Sequence, residues 1–177
     1  FQSYFYGDKV LVLSSSRGCP FRCAFCINPI KYKGKWRGRS AIKVVEEIQF
    51  LKDKYGINGV HFFDDMFDAD KKRLKDFCNI LIKEKIGIPW HHSSRVNYAQ
   101  KEGLLLEKKA GCSLIEYGVE SGSNRILQMI SKDQKIQDII QAFNNCKDIG
   151  IKANALFIIG YPTETFEDVK ATIKLIR

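Results

Sequence analysis

The sequence predicts an α/β protein with a parallel β-sheet, on three observations. Short β-prone runs alternate with longer segments of helical period, the pattern of consecutive βα units. The alternation recurs five times within 177 residues. Strand after strand ends in polar or ionisable residues, and ligands collect at the carboxyl ends of parallel strands.

The first strand is expected at 9–16, followed by Arg17 and Cys19. Val44, Val45, Ile48 and Leu51 mark one face of the helix that comes next, with Ser40 as its expected cap. A second strand at 59–65 closes on Asp64 and Asp65, and Leu74, Phe77, Cys78 and Leu81 define its helix. The third, at 89–95, closes on Ser94 and Arg95; a shorter helix around 104–110 stops at Gly111. The fourth, at 114–121, closes on Glu120 and Ser121, and its helix carries Ile136, Ile139, Ile140, Phe143 and Ile149 before Gly150. The fifth spans 152–160 and bends at Gly160 and Pro162; Thr165, three residues before Asp168, opens a last helix. Right-handed crossovers leave two architectures, a sheet curling towards a barrel or an open doubly wound sheet, and periodicity does not separate them. A complete eight-unit barrel takes about 250 residues, so five units read as a cut-out of something longer.

A composition of 45% hydrophobic and 28% charged residues, with 4 Pro and 13 Gly, excludes collagen, a mucin-like stalk and general disorder. The net charge of +9 favours anionic partners. Its one local concentration, Lys31, Lys33, Lys35, Arg37 and Arg39, is interrupted by Tyr32, Gly34 and Trp36 and reads as a solvated loop ahead of a nucleic-acid patch. No apolar run approaches the ~20 residues of a membrane span, and the N-terminus has no export pattern. Three of the six cysteines crowd together while Cys78, Cys112 and Cys146 are scattered, unlike a secreted disulfide scaffold. A reducing cytoplasm is the expected compartment. Cys78 and Cys146 read as small hydrophobes on helical faces, and Cys112 as turn packing.

The crowded thiols are Cys19, Cys23 and Cys26, spaced Cys-x3-Cys-x2-Cys on the loop after the first strand. Three ligands leave a structural zinc site incomplete, since such sites are four-coordinate. A cubane iron-sulfur cluster held by three thiolates keeps one iron open to another ligand. Three chemistries fit the spacing: the open cluster, a zinc site completed by Cys112 or His61, and a redox dithiol of Cys23 and Cys26. A zinc-dependent nucleic-acid module is thus the main alternative to an enzyme.

The segment Ser-Arg-Gly-Cys-Pro-Phe-Arg-Cys-Ala-Phe-Cys at 16–26 resembles the radical S-adenosylmethionine (radical SAM) enzymes, and so do Phe-Phe-Asp-Asp-Met-Phe at 62–67, Gly-Val-Glu-Ser-Gly-Ser at 118–123 and Ile-Ile-Gly-Tyr-Pro-Thr-Glu-Thr at 158–165. Trp-Arg-Gly-Arg-Ser at 36–40 makes the wording most similar to the cobalamin-associated branch, although methylthiotransferases and elongator-type enzymes share several phrases. The resemblance implies a partial (β/α) TIM-like barrel, with about five βα units of an expected six, and a core domain over 1–177 that is cut short at its C-terminus and lacks flanking domains. It implies a 4Fe-4S cluster on Cys19, Cys23 and Cys26 whose open iron chelates S-adenosylmethionine, reductively cleaved to a 5'-deoxyadenosyl radical or used for radical methylation. Cobalamin would come through a domain outside this chain, and the electron from a flavodoxin- or ferredoxin-type reductant. No substrate is legible.

By the same resemblance Phe25 packs near the adenine, Phe157 and Ile158 form its wall, and Glu120, with Ser121 beside it, receives ribose hydroxyls. Arg95 and Lys132 are the candidates for the methionyl carboxylate. Asp64 and Asp65 stand where relatives carry a Gly-Gly-Glu motif for the amino group, and period-two alternation sends them to opposite faces. His91 and His92 adjoin on one strand, so one is expected to face inward, without a catalytic role.

Overall fold

The structure, a computed structural model, describes residues 9–177. Its strands are β1 (Val10–Leu13), β2 (Ser16–Gly18), β3 (Trp36–Gly38), β4 (Gly59–Phe62), β5 (Trp90–Ser94), β6 (Cys112–Glu120) and β7 (Lys152–Phe157). Its helices are α1 (Asn28–Tyr32), α2 (Ala41–Tyr55), α3 (Lys71–Lys83), α4 (Lys101–Lys109), α5 (Asn124–Met129), α6 (Ile136–Ile149) and α7 (Phe166–Ile176), with a 3-10 turn at Val96–Tyr98.

Five strands form one parallel sheet in the order β1-β4-β5-β6-β7. Each new strand is laid beside the one before it, with no reversal of order. A doubly wound sheet reverses at a switch point, so the sequence's ambiguity resolves in favour of the partial barrel. All five carboxyl ends consequently lie at one rim.

The helices follow the periodicity that predicts them. Val44, Val45 and Ile48 of α2 and Phe77, Cys78 and Leu81 of α3 are buried against the sheet. Phe62 and Phe67 stack at 4.4 Å, and Phe77 and Trp90 meet edge-on at 5.3 Å. Each such side chain removed from water contributes about 1.5–3 kcal/mol. Thr165 and Asp168 form the expected capping box of α7, and α6 ends at Gly150 in the left-handed conformation.

Four local features depart from the expectations. The first strand stops at Leu13, because Ser15 and Ser16 turn their hydroxyls to Asp64. The basic stretch 31–39 is only partly a loop, since Trp36–Gly38 pairs antiparallel with Ser16–Gly18. Ser40 occupies the N-cap position of α2 without a side-chain cap bond. The short helix α5, capped by Ser123, has too few turns for its period to register in the sequence.

Candidate functional site

The loop from Cys19 to Cys26 leaves the ribbon β2–β3 at Gly18. There φ is +92°, and a Cβ would stand 2.1 Å from the carbonyl oxygen of Lys35, so only glycine allows this exit. Asp65 fastens the loop at both ends. Its carboxylate accepts the Gly18 amide at 2.8 Å and the Asn28 side-chain amide at 2.9 Å. Between these points the Ala24 amide donates to Ile130 at 2.9 Å, and the Cys26 amide to the Cys23 carbonyl at 3.1 Å. All three thiols are unpaired as disulfides; Cys23 is buried and the other two half-buried. Burial pushes the Cys19 thiol up and the Phe21 amide pulls it down; Cys23 raises it further and Arg95 lowers it. Cys23 and Cys26 both act electrostatically on Cys19, and three thiols on one short loop suit a group that takes them as thiolates and neutralises their mutual repulsion.

Asp64, which like Asp65 lies past the end of β4, takes different partners. It accepts the Ser15 amide at 2.7 Å and the Ser15 and Ser16 hydroxyls at 2.6 Å each. Arg73 clamps the same link, donating to the Ser15 hydroxyl at 2.6 Å and to the Arg39 carbonyl at 2.8 Å. The adjacent acids thus hold the two sides of the segment that carries the cysteines. Sequence reading missed this latch, because its contacts span 34–58 positions of chain.

On the other side of the rim, Glu120 pairs with Lys132 at 2.7 Å, both buried. Glu120 adopts φ +67°, a left-handed conformation that costs a non-glycine residue about 1–2 kcal/mol. Gly118 makes room for the pair, since a Cβ there would meet the Glu120 carboxylate at 2.5 Å and the Lys132 ammonium at 2.6 Å. Lys132 also stands 5.7 Å from the centre of the Phe25 ring, which meets Tyr161 at 6.0 Å. Phe25, Glu120, Lys132 and Tyr161 therefore gather in one place. Tyr161 is the member the sequence reading left out, although it sits inside the Gly-Tyr-Pro phrase singled out there; its buried hydroxyl lacks a hydrogen-bond partner. The Ile158 amide donates to the Glu120 carbonyl at 3.0 Å, which ties 157–158 to the same rim.

Arg95 comes from the end of β5. It donates to the Cys23 sulfur at 3.2 Å and lies 4.0 Å above the centre of the Phe21 ring. Ser121 is not brought to this group. It is fully buried, accepts the Ser123 amide at 3.1 Å and faces the Thr172 hydroxyl of α7.

The histidines divide between the faces of β5. His91 stacks on His61 at 4.0 Å; burial, with His61 and His92 beside it, pulls it down to about 4. His92 packs on Phe67 and Trp90 and bonds Glu107 at 2.9 Å. Cys112 lies near that pair. It opens β6, eight residues and about 26 Å of strand before the rim, so it supplies no fourth ligand to the cysteine loop. His61 is engaged in the stack with His91. A groove of about 640 Å³ between α3 and α4, floored by Asp68 and Glu107, lies on the outer helix layer.

A barrel-type sheet with a trio of thiols on its first rim loop and a buried carboxylate–ammonium pair beside it defines a class of cofactor-dependent enzyme core. The Radical SAM superfamily profile matches residues 13–176, and the chain belongs to that superfamily. It is 41% identical over 166 residues to an uncharacterized methyltransferase of Pyrococcus horikoshii, covering 94% of this chain and 36% of that protein. It is 32% identical over 181 residues to the anaerobic magnesium-protoporphyrin IX monomethyl ester cyclase of Rubrivivax gelatinosus, covering 99% of this chain and 32% of that one. The chain thus spans about a third of these relatives. Among solved structures, the radical SAM methyltransferase TsrM of Kitasatospora setae, with cobalamin and a [4Fe-4S] cluster bound, matches with a TM-score of 0.85 at 20% identity, over 96% of this chain and 34% of that one. The cobalamin-dependent radical enzyme OxsB, with aqua-cobalamin and S-adenosylmethionine bound, matches at 0.82 and 23%, over 94% and 26%. These likenesses support the fold, and among the described residues no helix is long and apolar enough to cross a membrane.

Proposed function

We propose that this chain is the catalytic core of a radical SAM enzyme of the methyl-transferring, cobalamin-associated kind, acting in the reducing cytoplasm. One observation carries the reading: three unpaired thiols on a rim loop whose two ends are held by a single carboxylate, Asp65. Cys19, Cys23 and Cys26 would hold the 4Fe-4S cluster. When bound, that cluster and S-adenosylmethionine supply one-electron cleavage of a carbon–sulfur bond.

The chain's own residues would bind and orient. Glu120, paired with Lys132 at 2.7 Å, would accept hydroxyl donors from the ribose, while Lys132 leaves its second face towards an anionic group and the ring of Phe25. Phe25, Phe157 and Ile158 offer apolar cover for the adenine. Asp64 and Asp65 fix the loop and do not compete for the amino group. The relatives named as methyltransferases and the cobalamin-containing neighbours support methyl transfer, with cobalamin held by a domain outside this chain and electrons from a flavodoxin- or ferredoxin-type donor.

Anaerobic reconstitution with iron and sulfide is expected to give about four irons per chain and a brown chromophore. Cys23→Ala should lose most of both. A parent chain that takes up one zinc and no iron, or a Cys23→Ala variant that loads like the parent, overturns this reading.

A further inference from the structure

Arg95 is a cation enclosed in protein with most of its hydrogen-bonding capacity unspent. It is 5% exposed, and one terminal nitrogen donates to the Cys23 sulfur at 3.2 Å. Its Nε and its other terminal nitrogen are buried without a hydrogen-bond partner. The guanidinium rests on Phe21 at 4.0 Å from the ring centre, and Phe21 is itself braced edge-on by Tyr98 at 6.1 Å. The group is therefore held in place by packing.

A guanidinium does not shed its proton in a protein. An incompletely bonded buried charge costs several kcal/mol unless an anion meets it. Among the described residues no carboxylate lies within ion-pair distance of Arg95. The nearest acceptor is a sulfur of the cysteine trio, and Cys19 also feels the charge.

We propose that Arg95 is a positioning residue that sets the reduction potential of the cluster, through charge and N–H donation to the Cys23 sulfur and the sulfides beside it. This inference rests on the cluster reading above. Hydrogen bonds and positive charge at the sulfurs stabilise the state with one more electron, so Arg95 raises the potential and eases reduction. It gives the residue a partner different from the methionyl carboxylate that resemblance assigns to it.

The test is a redox titration of the reconstituted protein, without S-adenosylmethionine, followed by electron paramagnetic resonance of the reduced cluster. R95Q keeps a planar donor and removes the charge. It should retain about four irons, while its reduced-to-oxidised ratio at a fixed solution potential falls roughly tenfold, which for one electron is about 59 mV to the negative side. R95K keeps the charge and should stay within about threefold of the parent. If R95Q does not load while R95K loads at the parental potential, a positive charge beside Cys23 is again required. R95Q loading fully with an unchanged potential overturns the proposal and leaves the cluster intact. Failure of both variants to load while the parent does also overturns it, because Arg95 is then part of the loop's framework. A parent chain that binds no cluster instead sinks the functional reading itself.

Discussion

Two buried acid–base pairs occupy opposite sides of the sheet, and they meet different fates. Glu120–Lys132 sits at the rim over Gly118, near the unpartnered hydroxyl of Tyr161, and Arg95, with two open nitrogens, stands at the cysteine loop of the same rim. His92–Glu107 sits behind β5, under α4, walled by Phe67 and Trp90. The rear pair has its own unpartnered neighbour: Asp68 accepts the Ser94 hydroxyl at 2.5 Å on one oxygen and nothing on the other. The difference lies in what each misfit group can do. Asp68 can take a proton, and burial pushes its carboxyl up to about 6, against the pull of His92 and Ser94. Arg95 has no such exit. The rear cluster can relieve its misfit group by protonation, whereas the rim keeps a fixed charge at Arg95.

The largest expected effect tests the structural side of this contrast. Glu107→Ala leaves His92 buried beside Asp68 with its main partner gone, and should lower stability in urea by about 4 kcal/mol. Replacing the pair together, His92→Leu with Glu107→Met, should recover most of that loss. A Glu107→Ala chain as stable as the parent would show that the rear pair carries no structural weight.

Next in size is Asp68. Its folded carboxyl lies above the ordinary value of 3.8, so protonation is favoured by folding. The associated stability is full below about pH 4 and is lost as pH rises through 6, a difference of about 3 kcal/mol at this depth of burial. Asp68→Asn should therefore flatten the stability profile between pH 4 and 6 and exceed the parent above pH 6. His92, which burial lowers but Glu107 and Asp68 lift above its usual range, works in the same direction and remains in the variant. Parallel profiles for the two chains would contradict the assignment.

The smallest effect belongs to the rim. Replacing the pair together, Glu120→Gln with Lys132→Met, leaves no unpaired buried charge, so urea unfolding should move little, while S-adenosylmethionine binding to the reconstituted chain weakens about tenfold, the equivalent of about 1.4 kcal/mol. Calorimetry reads the binding and iron analysis shows that the cluster is kept. A loss of stability without a loss of affinity would make the rim pair a twin of the rear one.

What the sequence determined by itself was whatever depends on local spacing. The βα alternation, the apolar faces of α2, α3 and α6, the Thr165–Asp168 cap and the trio of cysteines all follow from residues within a few positions of one another. Asp64 and Asp65 lie past the end of β4, where period two no longer sets a side chain's direction. Only the tertiary structure decided what they meet. Asp64 and Asp65 reach back 47–49 positions to the link before the cysteines. The register slips between Gly118 and Glu120, which helps swing Glu120 to the rim, and the next residue, Ser121, turns under α7. Arg95 and Tyr161 come to the cysteine loop from separate strand ends. Periodicity is blind to such meetings, because a strand's order within a sheet and a bulge's effect on side-chain direction are set by long-range packing, not by neighbours along the chain.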